Sequence, residues 1–154
     1  MSKRLEEILR TKQRKQKASQ IDHQKVREEW VSRCATLMAK ITDWLAPLQI
    51  QKLLDTRSEK IVIFEEQLGE YEIDALRIVF LDSEVLKIKP IARFIIGARG
   101  RIDVLARGTP LTMLLATESG DWLFAKRNVQ YGKFETWPFN RDTFDEFLSQ
   151  FLEE

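Results

Sequence analysis

One cysteine, Cys34, and one histidine, His23, stand in 154 residues, and that scarcity excludes several chemistries. A lone cysteine forms no internal disulfide and builds no thiolate zinc cage. His23 lies in a basic helical stretch, away from any serine or from Cys34 in triad geometry, and reads as a surface residue. The six glycines form neither a G-x-x-x-x-G-K-[ST] loop nor a G-x-G-x-x-G turn; Gly97 and Gly100 come nearest, with arginines around them, so nucleotide hydrolysis and dinucleotide chemistry are disfavoured. No apolar run approaches the roughly 20 residues of a membrane helix. The first ten residues give way to a polar, basic stretch rather than to an apolar leader with a small-residue cleavage site. The expectation is a soluble, cytoplasmic chain without membrane association. No cofactor, metal or catalytic constellation is expected.

Proline is also scarce, and neither proline nor glycine occurs before Pro47. Within that stretch Trp30, Cys34, Leu37, Ile41, Trp44 and Leu48 recur at alternating spacings of four and three, the seam of a long helix. Two tryptophans on one stripe are a large apolar load, which must be buried on the chain's own β-domain or on a second copy. Cys34, on that stripe, reads as a small buried hydrophobe. Upstream, Ser2 can cap a helix with Glu6 and Glu7 near its start, and Leu5, Ile8 and Leu9 make a small apolar face. Residues 10–20 are rich in helix formers but hold no apolar residue larger than Ala18, and read as a solvated helix or a frayed linker. Pro47 is expected to end the helix, with a short second helix from Pro47 to about Asp55 and a connector over residues 56–58.

Beyond this point the period becomes strand-like. Strands are expected over residues 61–64, 73–81, 85–91, 92–96, 101–107, 111–117 and 122–127, with an edge strand over 134–139. Glu118, Ser119, Gly120 and Asp121 mark the clearest hairpin turn. The connections are tight, so the pairing is mostly antiparallel. Phe144, Phe147, Leu148 and Phe151 follow the i, i+3, i+4, i+7 spacing of an amphipathic helix, with Asn140 as cap and Phe139 and Phe144 as staple. The predicted fold is α+β: a long N-terminal helix, a short second helix, a curved sheet of six to eight strands and a C-terminal helix packed on it. Its division is a helical arm over residues 1–57 and a β-domain with its helix over residues 58–154.

The net charge of +1 hides an asymmetry: residues 1–58 carry 13 Lys/Arg against 7 Asp/Glu, and residues 59–154 carry 12 against 17. A basic arm on an acidic body can seek a polyanion, another copy, or its own body. Arg93, Arg99, Arg101 and Arg107 form a second basic cluster, suited to bidentate recognition of phosphate or carboxylate; solvated arginines on a turn are the ordinary alternative. Glu65, Glu66, Glu70, Glu72 and Asp74 crowd one hairpin, where a hard cation could sit, but alternation places Glu70, Glu72 and Asp74 on the polar face of a half-buried strand. The favoured function is a non-catalytic binding or assembly module that self-associates as a homo-oligomer, or docks a protein partner, through the seam of residues 30–48. Two alternatives stand beside it. One is nucleic-acid binding by residues 10–17, five Lys/Arg in eight residues, together with the Arg-rich turn. The other is a small-ligand site lined by Trp122, Phe124, Trp137 and Phe139.

Overall fold

A computed structural model describes residues 2–95, 97–128 and 133–153, leaving aside the side chains of Asn128, Lys133 and Phe134. One helix, α1 (Lys3–Ile50), leads into strands β1 (Leu54–Glu65), β2 (Gly69–Phe80), β3 (Val85–Ala92), β4 (Arg101–Ala106), β5 (Thr109–Ala116), β6 (Trp122–Asn128) and β7 (Lys133–Pro138), and the chain closes with α2 (Arg141–Glu153). The seven strands form one antiparallel meander in chain order, open at β1 and β7. The expected α+β architecture, long N-terminal helix, antiparallel sheet and C-terminal helix are all present.

The expected second helix is absent. Helix α1 runs through Pro47. Proline removes only the bond to the Asp43 carbonyl, and three residues later the helix is over. It ends at a Schellman closure, in which the Lys52 N–H donates to the Gln49 carbonyl at 2.9 Å and the Leu53 N–H to that of Leu48 at 3.0 Å. Lys52 takes the left-handed conformation (φ 62°) that glycine usually supplies. The stop signal therefore lies five residues beyond the proline. β1 begins at Leu54 and runs through the expected connector, straddling residue 57. The strand expected over residues 92–96 is also missing: β3 stops at Ala92, Ile95 makes only an isolated bridge to Ala98, and Ile96 lies outside the described residues.

The apolar side of the sheet is continuous across its strands. Leu76 and Ile78 pair with Ile88 and Leu86, these with Val104 and Ala106, and Leu114 with Phe124, all on one face by alternation. Cys34, Leu37, Met38, Ile41 and Leu45 of α1, with Phe144 and Leu148 of α2, belong to the same buried cluster. In β2 the burial pattern changes phase between Ala75 and Leu76, both buried, where pairing with β3 begins. Beyond that point the β1–β2 ribbon twists so that its other face, with Tyr71 and Ile73, joins the core. Arg27 Nη1 ties α1 to the ribbon's tip through the Leu68 carbonyl, at 3.1 Å.

Helix α2 is built as its spacing predicts. Asn140 Oδ1 accepts from the Thr143 N–H at 2.9 Å, and the rings of Phe139 and Phe144 meet edge-on at 5.6 Å. Phe124, fully buried, collects Trp137, Phe139 and Phe147 around it at 5.1–5.6 Å. Of the four aromatics expected to line a ligand cavity, Phe124 is in the core with Phe139 packed against it, Trp137 stacks on Phe124 but is itself exposed, and Trp122 packs on Trp30 at 6.0 Å.

Candidate functional site

The seam faces the chain's own sheet. Trp30, Cys34, Leu37 and Ile41 are buried, Trp44 is half-buried, and only Leu48 is exposed, at 39%. The deepest stripe is shifted slightly from the expected one, because Met38 and Leu45 are buried as well. A covering sheet is broader than a partner helix and covers a wider stripe than a coiled-coil seam. Four of the six residues expected as a partner surface belong to the intramolecular core, Trp44 packs at its margin, and Leu48 lies outside it.

Burial pushes the Cys34 thiol well above its ordinary range, with Asp74 adding to the effect and Arg33 opposing it. Tyr71 is raised as well, first by burial and then by its hydrogen bond to Glu65. Both groups stay protonated in the native chain, whereas unfolded thiol and phenol ionise near about 8.5 and 10. Their contribution to stability is full below about pH 8 and declines as pH rises past these unfolded values toward the raised native ones. The expected result is a melting temperature that falls through the alkaline range, with a native thiol silent to a colorimetric thiol reagent. Rapid native-state labelling at neutral pH would contradict the buried placement.

What α1 leaves uncovered is its beginning. Residues 2–22 are exposed throughout, so the solvated-helix reading of residues 10–20 holds. At 1.5 Å per residue, the helical part of this arm projects about 30 Å past the body. Ser2 caps it through a 3.3 Å bond from the Leu5 N–H, and Glu6 pairs with Arg10 one turn on. Residues 3–22 hold seven Lys/Arg against three Asp/Glu. Leu5, Ile8 and Leu9 are 39–56% exposed side by side.

At the far end of α1 lies an apolar groove of about 640 Å³ between the helix terminus and α2. Leu48, Leu53, Leu81 and Leu152 line it and are all exposed, and Asp82, Asp145 and Arg141 stand among them. Leu48 and Leu53 are brought there by the Schellman closure, and Leu81 by its N–H bond to the Leu53 carbonyl at 3.0 Å.

The arginine cluster is partly dispersed. Arg101 folds back on buried Asp103, with Nε to Oδ1 at 2.7 Å and Nη2 to Oδ2 at 3.2 Å, and Arg107 pairs with Glu84. Arg93 and Arg99 meet instead at a polar pocket of about 450 Å³ whose helical wall is Glu29, Trp30 and Arg33. Thr117 and Glu118, where β5 turns toward β6, complete it. Gly100 permits this arrangement by lying against the Trp30 ring. Arg33 was not legible as a site residue. Its only trace in sequence is a charge beside the seam, three residues after Trp30 on the stripe's flank. Nor was the role of Glu65, whose carboxylate accepts from the Arg93 and Phe94 N–H groups at 3.0 Å and from the Tyr71 hydroxyl at 2.5 Å. The other acidic residues of that hairpin do not converge with it: Asp74 pairs with Lys60 at 2.7 Å, and among the described residues no three His, Cys, Asp or Glu are placed to hold a metal ion. No helix of the described residues is long and apolar enough to cross a membrane.

Compared with protein-family models, with curated proteins and with solved structures, the chain has no significant match.

Proposed function

We propose that the chain is a self-assembly module, in which the N-terminal arm of one copy docks its Leu5, Ile8 and Leu9 face into the apolar groove of the next. The observation that carries this reading is the placement of two uncovered apolar faces at opposite ends of one helix of 48 residues. Leu9 and Leu48 are 39 residues apart, about 60 Å along the axis, so arm and groove of one chain cannot meet while the helix is intact. They can meet between copies. Arms do not suit one another, because each is strongly basic. The groove offers Asp82 and Asp145, against a single Arg141, to the Lys3, Arg4 and Lys12 that flank the arm's apolar face, and the body beyond residue 58 carries an excess of acid. Such an interface is head-to-tail and generates a ring or a filament. The proposal keeps the N-terminal helix as the docking element but moves the contact from residues 30–48 to the arm.

Light scattering tests it by complementation. The parent chain is expected to associate with rising concentration. An arm variant (Leu5→Glu, Ile8→Glu, Leu9→Glu) and a groove variant (Leu81→Glu, Leu152→Glu) are each expected to be monomeric, with stability changed by no more than about 1 kcal/mol since the sites are exposed. Mixed, the two retain one intact arm and one intact groove and should form a 1:1 dimer. A parent that stays monomeric at high concentration, or a mixture that fails to pair, overturns the proposal. Salt-sensitive binding of the arm to nucleic acid in place of self-association would put the polyanion reading first.

A further inference from the structure

The polar pocket beside Trp30 has no part in the arm-and-groove contact, and its chemistry is that of an anion site. Two segments distant in sequence, helix α1 with Arg33 and the connection between β3 and β4 with Arg93 and Arg99, bring three arginines to its walls. Arg33 is held by a 2.7 Å bond from Nη2 to the Asp121 carbonyl and by stacking over the Trp122 ring at 5.1 Å. Its Nε is buried without a hydrogen-bond partner, an N–H that a bound oxygen would satisfy. Arg93 lies over the Phe94 ring at 5.4 Å, on backbone that Glu65 clamps. Burial is the main cause that lowers the pKa of both the Arg33 and the Arg93 guanidinium groups; repulsion from Arg93 adds to it at Arg33 and repulsion from Arg99 at Arg93, while Cys34 and Asp121 oppose it at the first and Glu65 and Glu29 at the second. The two cations are thus partly withdrawn from water and held near another of like charge. Arg99 is occupied at the rim by Glu118, at 2.8 Å, but that carboxylate is 81% exposed and can leave for water at little cost.

We propose that this pocket binds a small phosphate-bearing molecule, with Arg33, Arg93 and Arg99 around the phosphoryl oxygens and Glu118 displaced by it. A carboxylate is satisfied by one guanidinium fork, whereas three guanidinium groups lining one pocket suit a tetrahedral oxyanion with more acceptor oxygens. The charge agrees: three arginines against Glu29 and Glu118 leave +1, and +2 once Glu118 swings away, matching a phosphate monoester dianion. The volume of about 450 Å³ accepts the phosphate together with a modest organic group. A polyanion is a poorer occupant, since residues 59–154 as a whole carry an excess of acid.

Tryptophan fluorescence at constant ionic strength reads the binding, because Trp30 lines the pocket and Trp122 stacks on Arg33. The probes are inorganic phosphate, phenyl phosphate, chloride and a single-stranded oligonucleotide, each added to the full chain. Saturable quenching by the two phosphates and none by chloride is expected, with tighter binding of phenyl phosphate if the organic group enters and equal binding if only the phosphate does. Arg93→Gln with Arg99→Gln should weaken phosphate about tenfold or more. Glu118→Gln, at a fully exposed position, should retain the fold and tighten it by removing the competitor. No saturation with phosphate, or a Glu118→Gln chain whose affinity is unchanged or lower, overturns the proposal even if the arginine variant misfolds. Strong preference for the oligonucleotide overturns it in favour of a nucleic-acid site.

Discussion

Gly100→Ala is expected to destabilise the fold by about 2–6 kcal/mol, out of a total of roughly 5–15 for a domain of this size. Gly100 has φ +149°, and a Cβ placed on it would stand 2.6 Å from Cη2 and 2.9 Å from Cε3 of Trp30, and closer still to Cζ3. Two costs add. An L-residue at that φ is strained by about 1–3 kcal/mol, and overpacking against a side chain that cannot move costs about 1–3 more. Trp30 cannot move because it is 1% exposed, with Trp122 beside it and the core beneath. Gly97→Ala separates the two costs. Its φ is +85°, but nothing lies within 4 Å of the added carbon, so only the conformational part, about 1 kcal/mol, should appear. Chemical denaturation of both variants, and of Gly100→Ala combined with Trp30→Leu, makes the measurement. Removing the ring should make the two changes cost less together than their sum. Equal losses for Gly97→Ala and Gly100→Ala would show that the approach of Gly100 to Trp30 is looser than described.

The second large effect is expected at Glu65. Its carboxylate is the sole described acceptor for the Arg93 and Phe94 N–H groups and holds the Tyr71 hydroxyl. Glu65→Ala leaves two backbone donors and the hydroxyl of buried Tyr71 to find water, at a cost of about 2–4 kcal/mol given roughly 1–3 for each group that stays dry. Glu65→Gln keeps one acceptor oxygen and should fall between Ala and the parent, while Tyr71→Phe should isolate a single bond at about 1 kcal/mol. A further readout distinguishes clamp from simple packing. The segment that Glu65 holds carries Arg93 to the anion pocket, so Glu65→Gln should also weaken phosphate binding, though no atom of Glu65 lines the pocket. A variant with parental stability and parental phosphate affinity would remove Glu65 from this role.

Local pattern was enough for the elements whose reasons are local. The Asn140 cap, the Phe139 and Phe144 staple and the Phe spacing of α2 all act within a few turns of one another, and the structure has each of them. The alternation around Val85 and the Glu118 turn likewise predict strands that exist, because side-chain period and turn chemistry are properties of neighbouring residues. The demand that Trp30, Cys34, Leu37 and Ile41 be buried was equally plain, but its destination was not. Apolar burial is non-directional and names no partner, so the sheet became the cover only once its own strands had paired and left one face open. Pro47 misled for a related reason: one lost backbone bond is a local cost, and packing of Leu45 with the closure through Leu53 carries the helix past it. The pocket lay furthest from view. Arg93 and Arg99 stand together in the arginine-rich stretch between β3 and β4, but nothing along the chain joins them to Arg33 of α1, and Glu65 lies 28 residues from the N–H of Arg93 that it holds. Their meeting depends on helix α1 crossing the sheet where Gly100 has no side chain, a coincidence of position that exists only in three dimensions.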